Sequence, residues 1–144
     1  MFIGEYTNTI DDKKRLSVPS KFRKELGEKA VITYGLNKAL TLYPLSEWEI
    51  YAEKLGSLSV GNPEERAYAR AMLSGAFEVE LDKSGRILLP QQLTQFAAID
   101  GRVVFTGMAR FVELWDEATW NAYRTTVIPN TDALAESLGA RGSI

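Results

Sequence analysis

The chain repeats itself, and that constrains its fold more than any other feature. A shift of 71 residues brings Gly4 onto Gly75, Asp11 onto Asp82, Arg15 onto Arg86 and Pro19 onto Pro90. After one inserted residue, a shift of 72 pairs Val31 with Val103, Gly35 with Gly107, Leu42 with Leu114, Trp48 with Trp120 and Tyr51 with Tyr123. Apolar positions follow the same shift: Tyr6 with Phe77, Ile10 with Leu81, Leu16 with Ile87, Val18 with Leu89, Phe22 with Leu93. Collinear identities that include two of the three tryptophans mark a tandem duplication of a unit of about 50 residues. A unit that small, with four short strands, buries too little apolar surface to stand alone. The two copies are therefore expected to interlock into one β-rich α+β core. The expected division is unit one at 5–47, a helical linker at 48–75, unit two at 76–119, and a final helix with an acidic tail at 120–144.

Each unit has the same local grammar. Gly75 to Asp82 alternates Phe77, Val79 and Leu81 with Glu78 and Glu80, the period of a half-buried strand. A turn, Asp82-Lys-Ser-Gly-Arg86, leads to a short apolar strand, Arg86 to Leu89, and then to Pro90 in the first turn of a short helix. That helix is expected to bury Leu93 with Phe96 or Ala97. Its counterpart buries Phe22 and Leu26 and turns Lys21, Arg23 and Lys24 outward. Hairpins follow at Val31–Tyr34 with Leu40–Tyr43, and at Val103–Thr106 with Phe111–Trp115. Ser46-Glu-Trp-Glu49 reads as a capping box, Asp116 as the N-cap of the matching helix, and Asn62-Pro63-Glu-Glu65 as a capped start for a linker helix. Beyond residue 128 the periodicity fades and Pro129 interrupts it, which predicts a frayed tail.

Composition narrows the chemistry. With no Cys and no His, disulfides, thiolate zinc sites, Ser-His-Asp hydrolysis and imidazole bases are all excluded. No stretch reaches the roughly 18 apolar residues of a membrane span, and Met1 to Tyr6 lacks the basic and apolar regions of a signal peptide. A cytosolic protein is expected. The glycine spacing of a phosphate loop is absent. Glu78, Glu80 and Asp82 share one strand face but read as a solvated surface. Trp48 and Trp120 recur at an inward helical position and read as packing. No catalysis, cofactor or metal is therefore expected. The net charge is −2, but it is unevenly spread. Lys13, Lys14, Arg15, Lys21, Arg23 and Lys24 cluster without an acid among them, whereas residues 112–144 carry Glu113, Asp116, Glu117, Asp132 and Glu136 against only Arg124 and Arg141. Such asymmetry suits a polyanion-facing surface, and equally a solvated helix face.

The motif with functional content is Asp-x-x-x-Arg at the same turn of both units, Asp11 to Arg15 and Asp82 to Arg86. An Asp opening a turn accepts backbone N–H bonds inside it, and its second oxygen can hold the guanidinium of the returning Arg. An Arg fixed in this way is suited to a phosphate or a guanine edge. The same pair could equally serve only as a brace for the turn. Unit one surrounds the motif with Lys13, Lys14, Lys21, Arg23 and Lys24, whereas unit two adds only Lys83, with Thr94 where unit one has Arg23. The first unit should therefore carry more of the phosphate attraction.

The run Gly-Glu-Tyr, then Ile or Leu before Asp-x-x-x-Arg, then Pro-x-x-Phe-Arg, resembles the MraZ family of bacterial transcriptional regulators. The linker Asn62-Pro-Glu-Glu-Arg66 and the second copy, Leu81 to Pro90 and Glu113 to Asp116, carry the resemblance through about residues 1–126. It implies two SpoVT-AbrB-like units in a double-split, swapped-hairpin β-barrel with short flanking helices. It further implies a ring-shaped homo-oligomer that binds double-stranded DNA at direct repeats in its own division and cell-wall operon promoter, associated with the nucleoid. By position, the DNA-facing candidates are Arg15 and Arg86, oriented by Asp11 and Asp82, with Lys13, Lys14 and Arg23 on phosphates and Lys21 and Lys83 beside them. Two positions depart from the family pattern. Lys14 stands where the first turn usually has Gly, and Thr94 stands where the second unit usually has Arg. The alternative function on the same fold is a protein-interaction module, antitoxin-like or a ring scaffold.

Overall fold

The computed structural model describes residues 1–144. Unit one contributes β1 (Glu5–Thr9), β2 (Arg15–Ser17), α1 (Ser20–Leu26), β3 (Lys29–Tyr34), β4 (Leu40–Pro44), α2 (Leu45–Gly56) and α3 (Pro63–Ser74). Unit two repeats the series as β5 (Phe77–Glu80), β6 (Arg86–Leu88), α4 (Gln91–Phe96), β7 (Arg102–Gly107), β8 (Val112–Asp116), α5 (Glu117–Val127) and α6 (Thr131–Ala140). A 3-10 turn at Ile128–Asn130 joins the last two helices.

The units exchange strands. β1 pairs with β7 of the other unit, from Glu5 opposite Thr106 to Thr9 opposite Arg102. β5 crosses back to pair with β3, from Ile32 opposite Phe77 to Lys29 opposite Glu80. β4 and β8 meet at the seam, where Leu40 faces Leu114. The result is a six-stranded antiparallel sheet in the order β1-β7-β8-β4-β3-β5, with a separate ribbon of β2 and β6. The fold is thus strand-rich α+β, built from two interlocked repeats. The large sheet is open, with β1 and β5 as its edges, so backbone pairing does not close the barrel that the family resemblance implies.

One core joins the layers. Leu16, Val18, Phe22 and Leu26 of unit one are buried together with their counterparts Ile87, Leu89, Leu93 and Ala97, and all of them pack under the sheet with Ile32, Leu42, Phe105 and Leu114. Phe22 meets the edges of Phe2 and Tyr6 at ring distances of 5.4 and 5.2 Å. Ala97, not Phe96, is the second buried residue of α4; Phe96 is partly exposed against Tyr34.

Helix starts depart from expectation in instructive ways. Asn62 caps α3 as read, its Oδ1 accepting the N–H groups of Glu64 and Glu65 at 3.0 Å each. Ser46 caps nothing. α2 begins two residues earlier than that cap implies, after Pro44, whose ψ of 151° already turns the strand directly into the helix. Pro19 and Pro90 likewise occupy N-cap positions, not the first helical turn. Asp116 is at the N-cap of α5, but its Oδ1 accepts the N–H of Asp100 instead of a helix amide. The expected frayed tail is a helix, α6. Pro129 lies in the first turn of the 3-10 segment, where its missing N–H costs no bond, so it bends the chain without ending it. No helix is long and apolar enough to cross a membrane.

Candidate nucleic-acid interface

The two Asp-x-x-x-Arg turns are near copies in atomic detail. In the first, Asp11 Oδ1 accepts from the N–H of Lys13 (2.9 Å) and of Arg15 (2.8 Å), while Oδ2 takes Arg15 Nε at 3.0 Å. In the second, Asp82 Oδ1 accepts from the N–H of Ser84 and of Arg86 (both 2.9 Å), and Oδ2 takes Arg86 Nε at 3.0 Å. Backbone bonds Asp11–Arg15 and Asp82–Arg86 close each loop. These donors, first the backbone N–H of Arg15 and then its guanidinium, hold the Asp11 carboxyl below the usual carboxylate range. The N–H of Arg86, followed by that of Ser84, does the same for Asp82. In both turns the carboxylate occupies Nε alone. The outer guanidinium nitrogens have no partner in the chain, and the Arg15 and Arg86 side chains are 37% and 35% exposed.

The turn requires a left-handed residue just before each arginine. Gly85 supplies it at φ 75°, and Lys14 adopts φ 65°. A left-handed lysine costs about 1 kcal/mol, and the surrounding bonds hold it in place. The substitution at position 14 therefore leaves the turn geometry intact.

Strand exchange decides which helix serves which turn. The carbonyl of Lys14 accepts from Leu89 N–H, and that of Gly85 from Val18 N–H, both at 2.9 Å. Each turn is thus tied to the strand end of the opposite unit. Arg23, expected to point outward beside the first turn, is half-buried and extends across the second. Its Nε donates to the carbonyl of Val18 at 2.8 Å, and its guanidinium lies over Gly85. Arg23 and Lys24 line one cleft with Asp82, Lys83 and Gly85. Lys13 and Lys14 line another with Leu88, Leu89 and Pro90. The basic groups of unit one are therefore shared between the two turns and not gathered at the first. Lys21 is exposed on α1 and lines neither cleft.

The ribbon carries the arginines on one face. Arg15 lies opposite Leu88, and Ser17 opposite Arg86, with Leu16 and Ile87 paired between them. Directly opposed residues share a face, so Leu16 and Ile87 are sealed in the core while Arg15, Ser17, Arg86 and Leu88 face out. Leu88 is 61% exposed, although the run Ile-Leu-Leu reads as uniformly apolar. Ser17 and Leu88 are the members of this face that sequence reading passed over. The available signal was the repeat itself, which places them at equivalent positions two residues beyond each arginine.

Comparison with known proteins gives the same repeat. The family profile described as "MraZ protein, putative antitoxin-like" matches residues 1–71 and again 72–139. A protein named Transcriptional regulator MraZ from Desulfitobacterium hafniense (strain DSM 10664 / DCB-2) is 47% identical over 138 residues, 96% of each chain. Proteins of the same name from Moorella thermoacetica and Clostridium acetobutylicum are 46% identical over 138 residues, again 96% of each chain, and 42% identical over 142 residues, 99% of each chain. Matched twice by one profile and along nearly its whole length by these relatives, the chain belongs to the MraZ family.

Proposed function

We propose that this chain is a transcription regulator that binds double-stranded DNA through the outer face of the β2–β6 ribbon. The observation that carries this reading is the pair of matched turns, each presenting a guanidinium whose Nε is tied down and whose outer nitrogens are free. A two-stranded ribbon is one of the shapes the major groove admits, and a fixed arginine fork matches the O6 and N7 acceptors of guanine or two phosphate oxygens. Arg15 and Arg86 sit diagonally across the ribbon, somewhat less than about 7–8 Å apart at Cβ. Leu88 offers an apolar surface suited to a thymine methyl. Asp11 and Asp82 orient; Arg15 and Arg86 read; Lys13, Lys14, Lys83 and Arg23 meet phosphates, with Lys21 at the margin. The names of the relatives support regulation of transcription.

The finer reading is a cytoplasmic, nucleoid-associated homo-oligomer. Its units, 5–47 and 76–119, are of the swapped-hairpin type with the large sheet left open, and ring assembly places ribbons on direct repeats of the promoter of its own division and cell-wall operon. One chain with so few cations, within a net charge of −2, binds weakly. Several ribbons on one duplex multiply their contacts by effective concentration. The test is titration of the protein onto DNA from upstream of its own gene at several salt concentrations. The expected log K against log salt line flattens by about 0.9 per phosphate contact removed when Lys13, Lys14 and Arg23 are each replaced by alanine. A line unmoved by all three, or no promoter binding at low salt, overturns the reading in favour of a protein-interaction module on this fold.

A further inference from the structure

The repeat extends to a third layer, over which a helix folds back in unit one and not in unit two. Tyr43, Trp48 and Tyr51 form an aromatic cluster on β4 and α2, with Tyr43 stacked on Tyr51 at 5.5 Å. A shift of 72 converts these residues into Trp115, Trp120 and Tyr123 on β8 and α5, with Trp115 stacked on Tyr123 at 5.2 Å. In unit one, α3 folds back over its cluster. The Tyr68 hydroxyl meets that of Tyr51 at 2.8 Å, and Thr33 Oγ1 donates to the carbonyl of Met72 at 2.8 Å. Met72 and Leu55 are buried under this cover.

In unit two, α6 follows α5 as α3 follows α2, yet it covers nothing. No residue of α5 or α6 is buried. Val127, the counterpart of Leu55, is only half-buried, and Leu134 is exposed. Trp120 Nε1 is buried within this cluster without an acceptor, a rare condition in a finished interior. α6 nonetheless has the means to cover such a cleft, because Leu134 and Leu138 stand at i,i+4, the spacing at which α3 presents Tyr68 and Met72.

The connections explain the difference. Six residues, Ser57 to Asn62, separate α2 from α3 and let the chain reverse. Three residues, Ile128 to Asn130, separate α5 from α6. Both Ile128 (φ −60°, ψ −44°) and Thr131 (φ −59°, ψ −35°) remain in the right-handed helical region. Asn130 departs from that region (φ −103°, ψ 14°), but the connection is too short to reverse the chain, and α6 does not return over its own cleft.

We infer that α6 of one chain docks in the unit-two cleft of a second copy, laying Leu134 and Leu138 over Trp120 and Tyr123 as α3 lies over Tyr51. This rests on the homo-oligomer of the proposed function but not on its DNA contact. The chain has no cysteine, so cross-linking is clean. Met108→Cys places a thiol at the cleft, which Met108 lines while 47% exposed, and Leu134→Cys places one on α6. Mixing the two single variants, one of them tagged, and oxidising mildly is expected to give a tagged–untagged dimer in excess of either like pair. A double variant that closes its disulfide within one chain, or a mixture that forms no hetero pair, overturns the inference. In parallel, Leu134→Asp with Leu138→Asp is expected to weaken self-association at least about tenfold by light scattering, with the melting temperature of the β-rich body unchanged. An oligomer whose mass ignores both substitutions removes α6 from the contact but leaves the assembly standing. A chain that is monomeric before any substitution removes both.

Discussion

The guanidinium of Arg23 lies across Gly85 so closely that a Cβ built on the glycine would stand 2.3 Å from Arg23 Nε. The 71-residue shift that converts Gly85 into Lys14 also converts Arg23 into Thr94. One turn pairs a bare glycine with a long cation from the opposite helix. The other turn carries a lysine of its own, and the equivalent of Arg23 in the repeat is a short, buried threonine. Each turn thereby keeps a long cation near its arginine, Lys14 at the first and Arg23 at the second. Gly85→Ala should displace Arg23 and cost about 1–2 kcal/mol in chemical denaturation. In an Arg23→Thr background the cost should fall by at least about 0.5 kcal/mol. Full additivity of the two substitutions would separate the two sites.

Because the turns match bond for bond, Arg15→Ala and Arg86→Ala should impair promoter binding to similar degrees, about 10- to 100-fold each in fluorescence anisotropy. Neither should shift the melting temperature appreciably, since both side chains are partly exposed and their ion pairs are solvent-screened. Coincident loss of folding and binding would reduce the motif to a turn brace.

Asp11 and Asp82 have carboxyls depressed by the turn amides. A depressed acid contributes stability that is present above its unfolded value and is lost as pH falls through the lower folded one. NMR titration should therefore place both midpoints below the usual value of about 3.9, with the turns intact at mildly acidic pH. Arg15→Ala should raise the Asp11 midpoint only part of the way, because the Arg15 backbone N–H, the largest contributor, survives the substitution.

Glu113 behaves in the opposite sense. Burial pushes its carboxyl up, against the pull of hydrogen bonding from Thr106 and Trp115. A raised acid favours folding when protonated, so its penalty grows as pH rises from the unfolded value through the folded one. Glu113→Gln should raise the melting temperature at pH 7, with the gain fading below about pH 4.3. A gain that persists at lower pH would point to packing instead of charge.

Local chemistry was legible in the sequence, whereas the partnership between units was not. Asp11, Asp82 and Asn62 act within four residues of themselves, so spacing alone revealed their bonds. Arg23 could not be placed from spacing because its neighbour is set by which unit lends β6 to β2, a matter of register across some 70 residues. Leu88 misled because a three-residue strand is too short to display alternation. Ser46 misled because Pro44 already turned the chain into the helix, leaving no cap for it to make. Pro129 read as a terminator because the sequence does not distinguish a bend from an end.

The strand exchange has a consequence for how the protein is made. During synthesis, Glu5 waits for a partner that lies at Thr106, so β1 stays unpaired until most of the chain has left the ribosome. Contacts so distant in sequence form slowly, and an idle edge strand in a nascent chain is open to the wrong neighbour. The same exchange means that a polypeptide cut between the units yields two fragments, each holding half of every ladder that spans them.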